Sequence, residues 1–254
     1  MPRRGPASVK IVTRAPSANR AAQVPNVFRQ GIFHPIARVL TPAWSEDVRG
    51  GRSIAPAVEK LVAVNTVLVW PVFLALSFVS VPFITLVFGE NWRPAGEIFP
   101  WVLLSQAIVA ALPQPEQVLV PHGQPGRVLV VRTLAAVFSL STAVVAASYG
   151  LEAFAVSRAV AAAFFIAVTF LAIRELIDFQ PGRFAMRYLR SACVAALASL
   201  PAAFVHFAER ETMSLLELLV LIAACAALWL LGIIVTRHFV WGELQMVARK
   251  ALGS

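Results

Sequence analysis

The residues of this chain that could do chemistry are polar side chains embedded in apolar sequence. Six of them lie in or beside stretches long enough to cross a bilayer: Arg29, His34, Asn65, Gln106, Glu116 and Arg158. Polar and ionisable groups inside a membrane are costly, so they usually pair with one another or line a water-filled cavity. We therefore take these six residues as candidates for the wall of a hydrated substrate cavity.

Each candidate also has a purely structural explanation. Arg29 could be an interfacial arginine whose head group reaches water, and His34 could be a packed histidine. The two amides could form hydrogen bonds between helices. Arg158 lies about seven residues into its span, roughly 10 Å from the first residue of that span. Its guanidinium could reach the outer interface or pair with a carboxylate, for which Glu152 and Glu116 are available.

The sequence carries none of the common enzyme signatures. It has no nucleophile elbow, kinase or HExxH pattern, and no phosphate-binding P-loop. Cys193 and Cys225 stand alone in apolar stretches without the spacing of metal ligands, which is typical of small buried hydrophobic residues. We expect no metal, no cofactor and no covalent catalysis.

The composition indicates that lipid surrounds much of the chain. Hydrophobic residues make up 59% and charged residues 14%, with a mean hydropathy of +0.75. Soluble proteins have roughly 45–50% apolar and about 25% charged residues. The net charge is +9. In a membrane protein, the positions of Lys and Arg indicate first of all which connectors lie in the cytoplasm. No basic run is interleaved with aromatic residues, so we expect no nucleic-acid partner.

The apolar stretches predict an all-α fold, a polytopic membrane helix bundle with about six long transmembrane helices and one amphipathic N-terminal span. The spans are predicted near 21–42, 61–88, 97–121, 128–149, 151–173, 191–207 and 214–236. The second exceeds the roughly 20 residues that cross a bilayer, which indicates tilt or a kink at Pro71 or Pro82. The stretch 191–207 is short and contains Pro201, so it is the weakest prediction among these spans.

The ends of the chain are less apolar than its middle. Residues 1–20 are basic and contain three prolines, which predicts an irregular tail. Residues 21–42 are too polar to face lipid on all sides, so they form either an amphipathic surface helix or a span that lines a wet cavity. Residues 237–254 combine aromatic and basic side chains as an interfacial amphipathic helix does.

A proline-rich stretch, LPQPEQVLVPHGQPGR at 112–127, closes the third predicted span. Pro113 and Pro115 leave carbonyls without helical partners around Val109 and Ala111. Such groups cannot face hydrocarbon, so protein neighbours or water must cover them.

The same stretch is a candidate hinge at the cytoplasmic mouth of a cavity. The candidate hinge residues are Pro113, Pro115 and Pro121. Glu116 beside them indicates a wet or protein-packed surface. The alternative is an ordinary loop that begins at Pro113 and leaves a span over 97–112, which is slightly too short to cross a bilayer.

The connectors between spans differ in charge. One alternate set carries eleven Lys and Arg residues: Arg49, Arg52, Lys60, Arg127, Arg174, Arg183, Arg187, Arg190, Arg237, Arg249 and Lys250. The other set carries two, Arg93 and Arg210. Basic connectors are retained on the cytoplasmic side, so the first set is predicted to be cytoplasmic together with the C-terminus.

Several motifs resemble those of one transporter family. The stretch WPVFLALSFVSVPFITLVFGENW at 70–92 has two prolines and a closing Phe-Gly-x-x-Trp, and FRQGIFHPIARVL at 28–40 precedes it. PHGQPGR at 121–127 and YGLEAFAVSRAV at 149–160 follow in order. Over roughly 20–236 the chain resembles the polysaccharide (O-antigen and exopolysaccharide) flippase branch of the multidrug/oligosaccharidyl-lipid/polysaccharide exporter superfamily. Glu152 and Ala153 depart from its usual small residues.

The resemblance implies a role and partners. Proteins of that branch have two lobes related by pseudo-symmetry, and this chain resembles the C-terminal lobe, with an N-terminal lobe as its missing partner. The implied substrate is a lipid-linked oligosaccharide, carried beside membrane lipids across the bacterial cytoplasmic (inner) membrane for lipopolysaccharide or exopolysaccharide biosynthesis. Cationic candidates such as Arg29 and Arg158 would contact its diphosphate, and no covalent step is required.

Other interpretations stay open at this point. The chain could come from a truncated gene, a miscalled start or a split transporter, or it could be a non-transporting remnant or an accessory subunit. An integral membrane transferase is the third class. Its polar catalytic residues should gather at one membrane face, whereas the cytoplasmic connectors here are short and mainly basic.

Overall fold

The computed structural model describes residues 44–177, 180–208 and 212–236. All regular secondary structure within these ranges is helical. The two tails, the predicted span at 21–42, and the candidates Arg29 and His34 lie outside the described residues.

Eight α-helices are described in full, and helical residues 44–49 precede them. They are α1 (Ala55–Phe78), α2 (Ser80–Phe88), α3 (Arg93–Val109), α4 (Pro115–Leu119), α5 (Pro125–Ala147), α6 (Leu151–Ile173), α7 (Pro181–Phe207) and α8 (Leu215–Val235). Five of these, α1 and α5 to α8, are long and apolar enough to cross a membrane. The prediction of an all-α, polytopic helix bundle is confirmed.

Local sequence explains where the helices begin. Five of them, α1, α3, α4, α5 and α7, have a proline in the first two helical positions, where its missing N–H and fixed φ angle are suited to a helix start. The last helix begins with a capping box instead. Ser214 accepts a hydrogen bond from the Glu217 N–H, and the Glu217 carboxylate accepts one from the Ser214 N–H.

The predicted span at 61–88 is two helices, and it begins six residues earlier than expected. The first turn of α1 starts at Ala55, inside the stretch read as a polar connector. Helix α1 ends at Phe78, and Val79 leaves the helical region at φ −111° and ψ 25°. Pro82 has no N–H to donate to the Phe78 carbonyl, which explains the break at this point. Pro71 lies inside α1 without ending it.

The weakest predicted span, 191–207, belongs to the longest helix in the described part of the chain. Helix α7 begins at Pro181, ten residues earlier than predicted, and continues through Pro201. Its first turns were read as a connector because they are basic. In the structure Phe184 is buried while Arg183 and Arg190 are exposed, so this segment is an amphipathic extension of the helix.

The predicted single span at 97–121 is also wrong in detail. Helix α3 ends at Val109, and the chain turns over 110–114 before the short helix α4. Helix α3 has 17 residues, fewer than the roughly 20 that a crossing needs. Its end agrees with the alternative in which the helix stops before Pro113.

The packing of α1 against α7 shows that α3 and α4 together make a crossing. The two helices run parallel, because contacts between them ascend in the same order: Glu59 with Arg187, Thr66 with Ser191, and Phe78 with His206. An odd number of crossings must therefore separate the end of α1 from the start of α7. Helices α5 and α6 supply two, so the α3–α4 segment supplies the third.

The lower part of that crossing packs at the end of the bundle where α1 and α7 begin. Val118 and Leu119 of α4 are buried in one cluster with Val58 of α1, Ile173 of α6 and Phe184 of α7. This end also carries most of the described Lys and Arg residues. We call it the basic end, and its charge is the basis for the predicted cytoplasmic orientation.

At the other end, a glycine allows α2 and α3 to approach closely. A Cβ atom at Gly96 would lie 2.9 Å from the Cα of Val81 and 3.3 Å from the carbonyl oxygen of Ser80. Small residues at such crossings are common in membrane helices, where close backbone approach is a main source of attraction.

Candidate functional site

Two arginines near the basic end are neutralised by carboxylates. Arg187 of α7 donates to the Glu59 carboxylate of α1 at 2.8 Å, and the Glu59 side chain is only 5% exposed. The pair joins residues 128 positions apart in the chain. Because a buried carboxylate without a partner is strongly unfavourable, this contact fixes the base of α7 on α1.

The second pair involves a residue that the sequence placed in the cavity. Arg132 of α5 donates to both Glu116 carboxylate oxygens, at 2.7 and 2.8 Å, and to the Gln114 side-chain oxygen at 3.0 Å. Its guanidinium also lies 5.1 Å from the centre of the Phe165 ring. The acid that was considered as a partner for Arg158 is therefore paired with Arg132.

The end of α3 is held by two aromatic donors from neighbouring helices. The Tyr188 hydroxyl donates to the Ala111 carbonyl, and the Trp70 indole N–H donates to the Ala107 carbonyl at 3.0 Å. The two rings are stacked with centroids 5.9 Å apart. The Ala111 carbonyl, which lies in the turn after α3, is thus covered by protein.

Asn65 and Gln106 are placed towards the same turn. Asn65 lies one helical turn after Leu61, which packs with Val118 and Leu119, and one turn before Val69, which packs with α3. Its side chain is therefore on the face of α1 towards the 110–114 turn. The side-chain oxygens of Asn65 and Gln106 are buried and accept no hydrogen bond within the described residues.

Arg158 lies in different surroundings. It is exposed, and its guanidinium donates to the Ser139 hydroxyl of α5 at 2.8 Å. No carboxylate in the described part of the chain forms an ion pair with it. Ser139 is eight residues before the end of α5 at Ala147, roughly 12 Å along the helix. The arginine head group therefore stays at about this depth along the helix axis and does not reach the outer end of the span.

A groove also lies between α5 and α6, and neither Arg158 nor Ser139 lines it. It has a volume of about 750 Å³. Its walls include Phe138, Thr142, Tyr149, Glu152 and Ser157. Helix α5 contributes little to the core, since Val131 is its one buried residue and it packs mainly on α6. The groove therefore lies on a membrane-length surface that the described helices leave uncovered.

The candidate residues form two groups. Asn65, Gln106 and Glu116 lie on the helices around the turn between α3 and α4, whereas Arg158 joins α6 to α5 through Ser139. Within the described residues, no three His, Cys, Asp or Glu side chains lie together as metal ligands. The arrangement offers hydrogen-bonding groups and one unneutralised cation, which suit binding of a polar, anionic group.

Sequence reasoning missed Glu59 and the role of Arg132. Glu59 was read as part of a polar connector, although Val58, Leu61 and Val62 around it have helical spacing. Arg132 was not among the candidate residues. Because α5 begins at Pro125, three residues before the predicted span, Arg132 lies nearly one turn deeper than the sequence indicated.

A family comparison agrees with the resemblance found in the sequence. The family described as "Polysaccharide biosynthesis protein" matches residues 16–97, which is 82 of the 254 residues. The match includes the 28–40 and 70–92 stretches and ends early in α3. It supports a role in polysaccharide biosynthesis and is consistent with the polysaccharide flippase family. Neither a curated protein nor a solved structure matches the chain.

Proposed function

We propose that this chain is the C-terminal lobe of a flippase that moves a lipid-linked oligosaccharide across the bacterial cytoplasmic membrane for lipopolysaccharide or exopolysaccharide biosynthesis. The family match supports the biosynthetic role, and the five membrane-length helices support a multi-pass membrane protein. The transport needs no covalent step by the protein. Its partners are the lipid-linked substrate, membrane lipids and an N-terminal lobe.

The observation that carries this proposal is the unneutralised Arg158. A charged arginine at membrane depth costs about 2.5–3.5 kcal/mol even when it can adjust its position. The described contacts give it a hydroxyl and no carboxylate. A diphosphate bound during passage would supply the missing negative charge through charge-assisted hydrogen bonds, and Arg is the side chain best suited to hold it.

The groove between α5 and α6, which Arg158 itself does not line, offers groups for the sugar. Thr142 and Ser157 carry hydroxyls, although both already donate to carbonyls of their own helices, and Tyr149 presents an exposed ring that can stack on a sugar face. The lipid tail would remain in the bilayer beside the protein. In this proposal the α5–α6 surface faces a hydrated passage that an N-terminal lobe closes from the other side.

The orientation proposed here follows from charge. The basic end lies in the cytoplasm, and the diphosphate enters from that side. Glu116, Asn65 and Gln106 then lie near the inner mouth, and Arg158 lies beyond them towards the outer leaflet. Arg29 and His34 remain candidate cavity residues on the basis of the sequence.

The test is export by an Arg158→Ala variant. In a strain that lacks its own copy of the gene, we expect at least about a tenfold loss of surface polysaccharide, since removing one partner of a desolvated charge contact costs several kcal/mol. The lipid-linked intermediate should accumulate on the inner side. Arg183→Ala is the matched control, because Arg183 is exposed at the start of α7. Normal export by Arg158→Ala at normal protein level would reject the proposed site.

A further inference from the structure

Two prolines in the described helices share one arrangement. Each proline leaves the carbonyl four residues earlier without its helical N–H partner, and a side chain from a distant helix donates to that carbonyl instead. The two sets of proline, carbonyl and donor are Pro71, Val67 and Trp229, and Pro82, Phe78 and His206. Tyr188 makes a comparable contact with the Ala111 carbonyl, which lies in the turn after α3.

The geometry of these contacts is that of ordinary hydrogen bonds. The Trp229 indole nitrogen lies 2.8 Å from the Val67 oxygen, and His206 Nδ1 lies 3.0 Å from the Phe78 oxygen. The Tyr188 hydroxyl donates to the Ala111 oxygen. The bonds join residues 162, 128 and 77 positions apart.

The donors and acceptors are divided between two parts of the bundle. All three donors belong to α7 and α8, which pack on each other. The acceptors belong to α1 and to the turn that follows α3, and α1 and α3 also pack together. The three bonds occur at three heights, since α1 and α7 run parallel from Glu59–Arg187 to Phe78–His206.

Two further prolines provide an internal comparison. Pro100 lies inside α3 and Pro201 inside α7. In the described part of the chain, no side chain of another helix donates to the Gly96 or Leu197 carbonyls that these prolines leave. A proline in a helix therefore does not attract a donor by itself, and the three covered carbonyls are specific contacts.

We infer that the carbonyls released by Pro71 and Pro82 serve as acceptor sites that fix the α7–α8 hairpin on α1, and that the Tyr188–Ala111 contact adds a third fixed point at the turn after α3. Apolar packing between helices gives little direction in lipid, because lipid tails are as apolar as the side chains. A carbonyl released by proline is a directional site, and it must be covered. One donor at each of three heights sets the position and rotation of the hairpin.

The Tyr188–Ala111 contact bears on the expected hinge at Pro115. The sequence made Pro115 a candidate hinge, whereas a side chain of α7 here holds the turn that precedes it. Movement during transport, a consequence that rests on the proposed function, would then occur at the α5–α6 hairpin, which has none of these contacts among its described residues. The fixing role itself can be tested without any transport assay.

The test is a double-mutant cycle on Pro71 and Trp229 in the full chain. Unfolding is followed in mixed micelles titrated with a denaturing detergent. We expect Trp229→Phe to lower the folded-to-unfolded ratio about threefold to tenfold in the native background. In Pro71→Ala the residue 71 N–H can bond to Val67, so the same change should lower the ratio less than about twofold. Equal losses in both backgrounds would overturn the inference.

A matched control and a second readout keep the test decisive. Pro201→Ala should leave the effect of Trp229→Phe unchanged, because no such donor covers the Leu197 carbonyl. If Trp229→Phe does not fold, exchange of the Trp229 indole hydrogen with heavy water is measured in the native chain and in Pro71→Ala. Faster exchange in Pro71→Ala supports the inference. Unchanged exchange contradicts it.

Discussion

Arg132 and Arg158 occupy equivalent positions in neighbouring helices but have opposite electrostatic surroundings. Each lies seven residues after the first residue of its helix, Pro125 in α5 and Leu151 in α6. Arg132 meets the Glu116 carboxylate that α4 brings to it, whereas Arg158 meets only the Ser139 hydroxyl. Depth in a span therefore does not determine whether an arginine is neutralised. The neighbouring segment decides, and here α4 supplies the acid.

The largest effect on export is expected when a carboxylate is placed beside Arg158, as Glu116 already lies beside Arg132. Ser139→Asp places a carboxylate within reach of the guanidinium, and the resulting ion pair competes with a bound diphosphate. We expect export to fall at least about tenfold, with protein levels maintained.

The control for this change is Ser139→Asn, which is similar in size and uncharged. It should retain most of the export. Equal loss in the Asp and Asn variants would show that the size of residue 139 matters and not the neutralisation of Arg158.

The next effect concerns the buried pair at the basic end. Glu59→Gln leaves Arg187 without its counter-charge in a site where Glu59 is almost fully buried. We expect a loss of about 1–3 kcal/mol in the free energy of unfolding, between the values for buried and exposed pairs. Detergent denaturation measures it. Glu90→Gln, which removes an exposed acid beside Arg93, should change stability by less than about 0.5 kcal/mol.

A smaller effect is expected at the half-exposed pair. Arg132 and Glu116 are both solvent-accessible, so their coupling should be about 0.5–1 kcal/mol or less. A double-mutant cycle with Arg132→Gln and Glu116→Gln measures this coupling. A coupling energy of zero would mean that the Glu116 carboxylate does not stabilise Arg132. The contrast between a neutralised Arg132 and an unneutralised Arg158 would then no longer hold.

A disulfide cross-link between α1 and α7 is expected to leave export unchanged. The Thr66 and Ser191 hydroxyls are 2.8 Å apart, so Thr66→Cys with Ser191→Cys places two thiols in reach of each other. The native cysteines at 193 and 225 are first replaced by serine. Oxidation should leave export unchanged if these helices stay fixed. Export that stops on oxidation and returns on reduction would show that α1 and α7 must separate.

The sequence predicted the helix class and most crossings because apolar length is a local property. It missed the start of α7, since Arg183 and Arg190 resemble a connector until Phe184 is seen to pack inward. To predict the break at Val79, one would have to know which of two prolines, Pro71 or Pro82, ends α1. Both are compatible with local sequence, and tertiary contacts decide between them.

The candidate site was predictable only in part. An acid among prolines predicted a polar surface near the end of α3, and an arginine at membrane depth predicted a cavity residue. The identity of each partner depends on contacts between distant segments, such as Glu59 with Arg187 or Tyr188 with Ala111. Spacing in one sequence carries no information on these contacts.

The central claim is that the α5–α6 surface at Arg158 faces water during transport. The most direct measurement is labelling of Ser139→Cys in native membranes, in a background without Cys193 and Cys225, by a membrane-impermeant maleimide. Ile222→Cys, on the exposed apolar face of α8 at a similar depth, is the control. We expect the cysteine at 139 to react and the control not to react. If residue 139 reacts only with a membrane-permeant, hydrophobic maleimide, lipid covers this surface and the proposed water-facing role is contradicted.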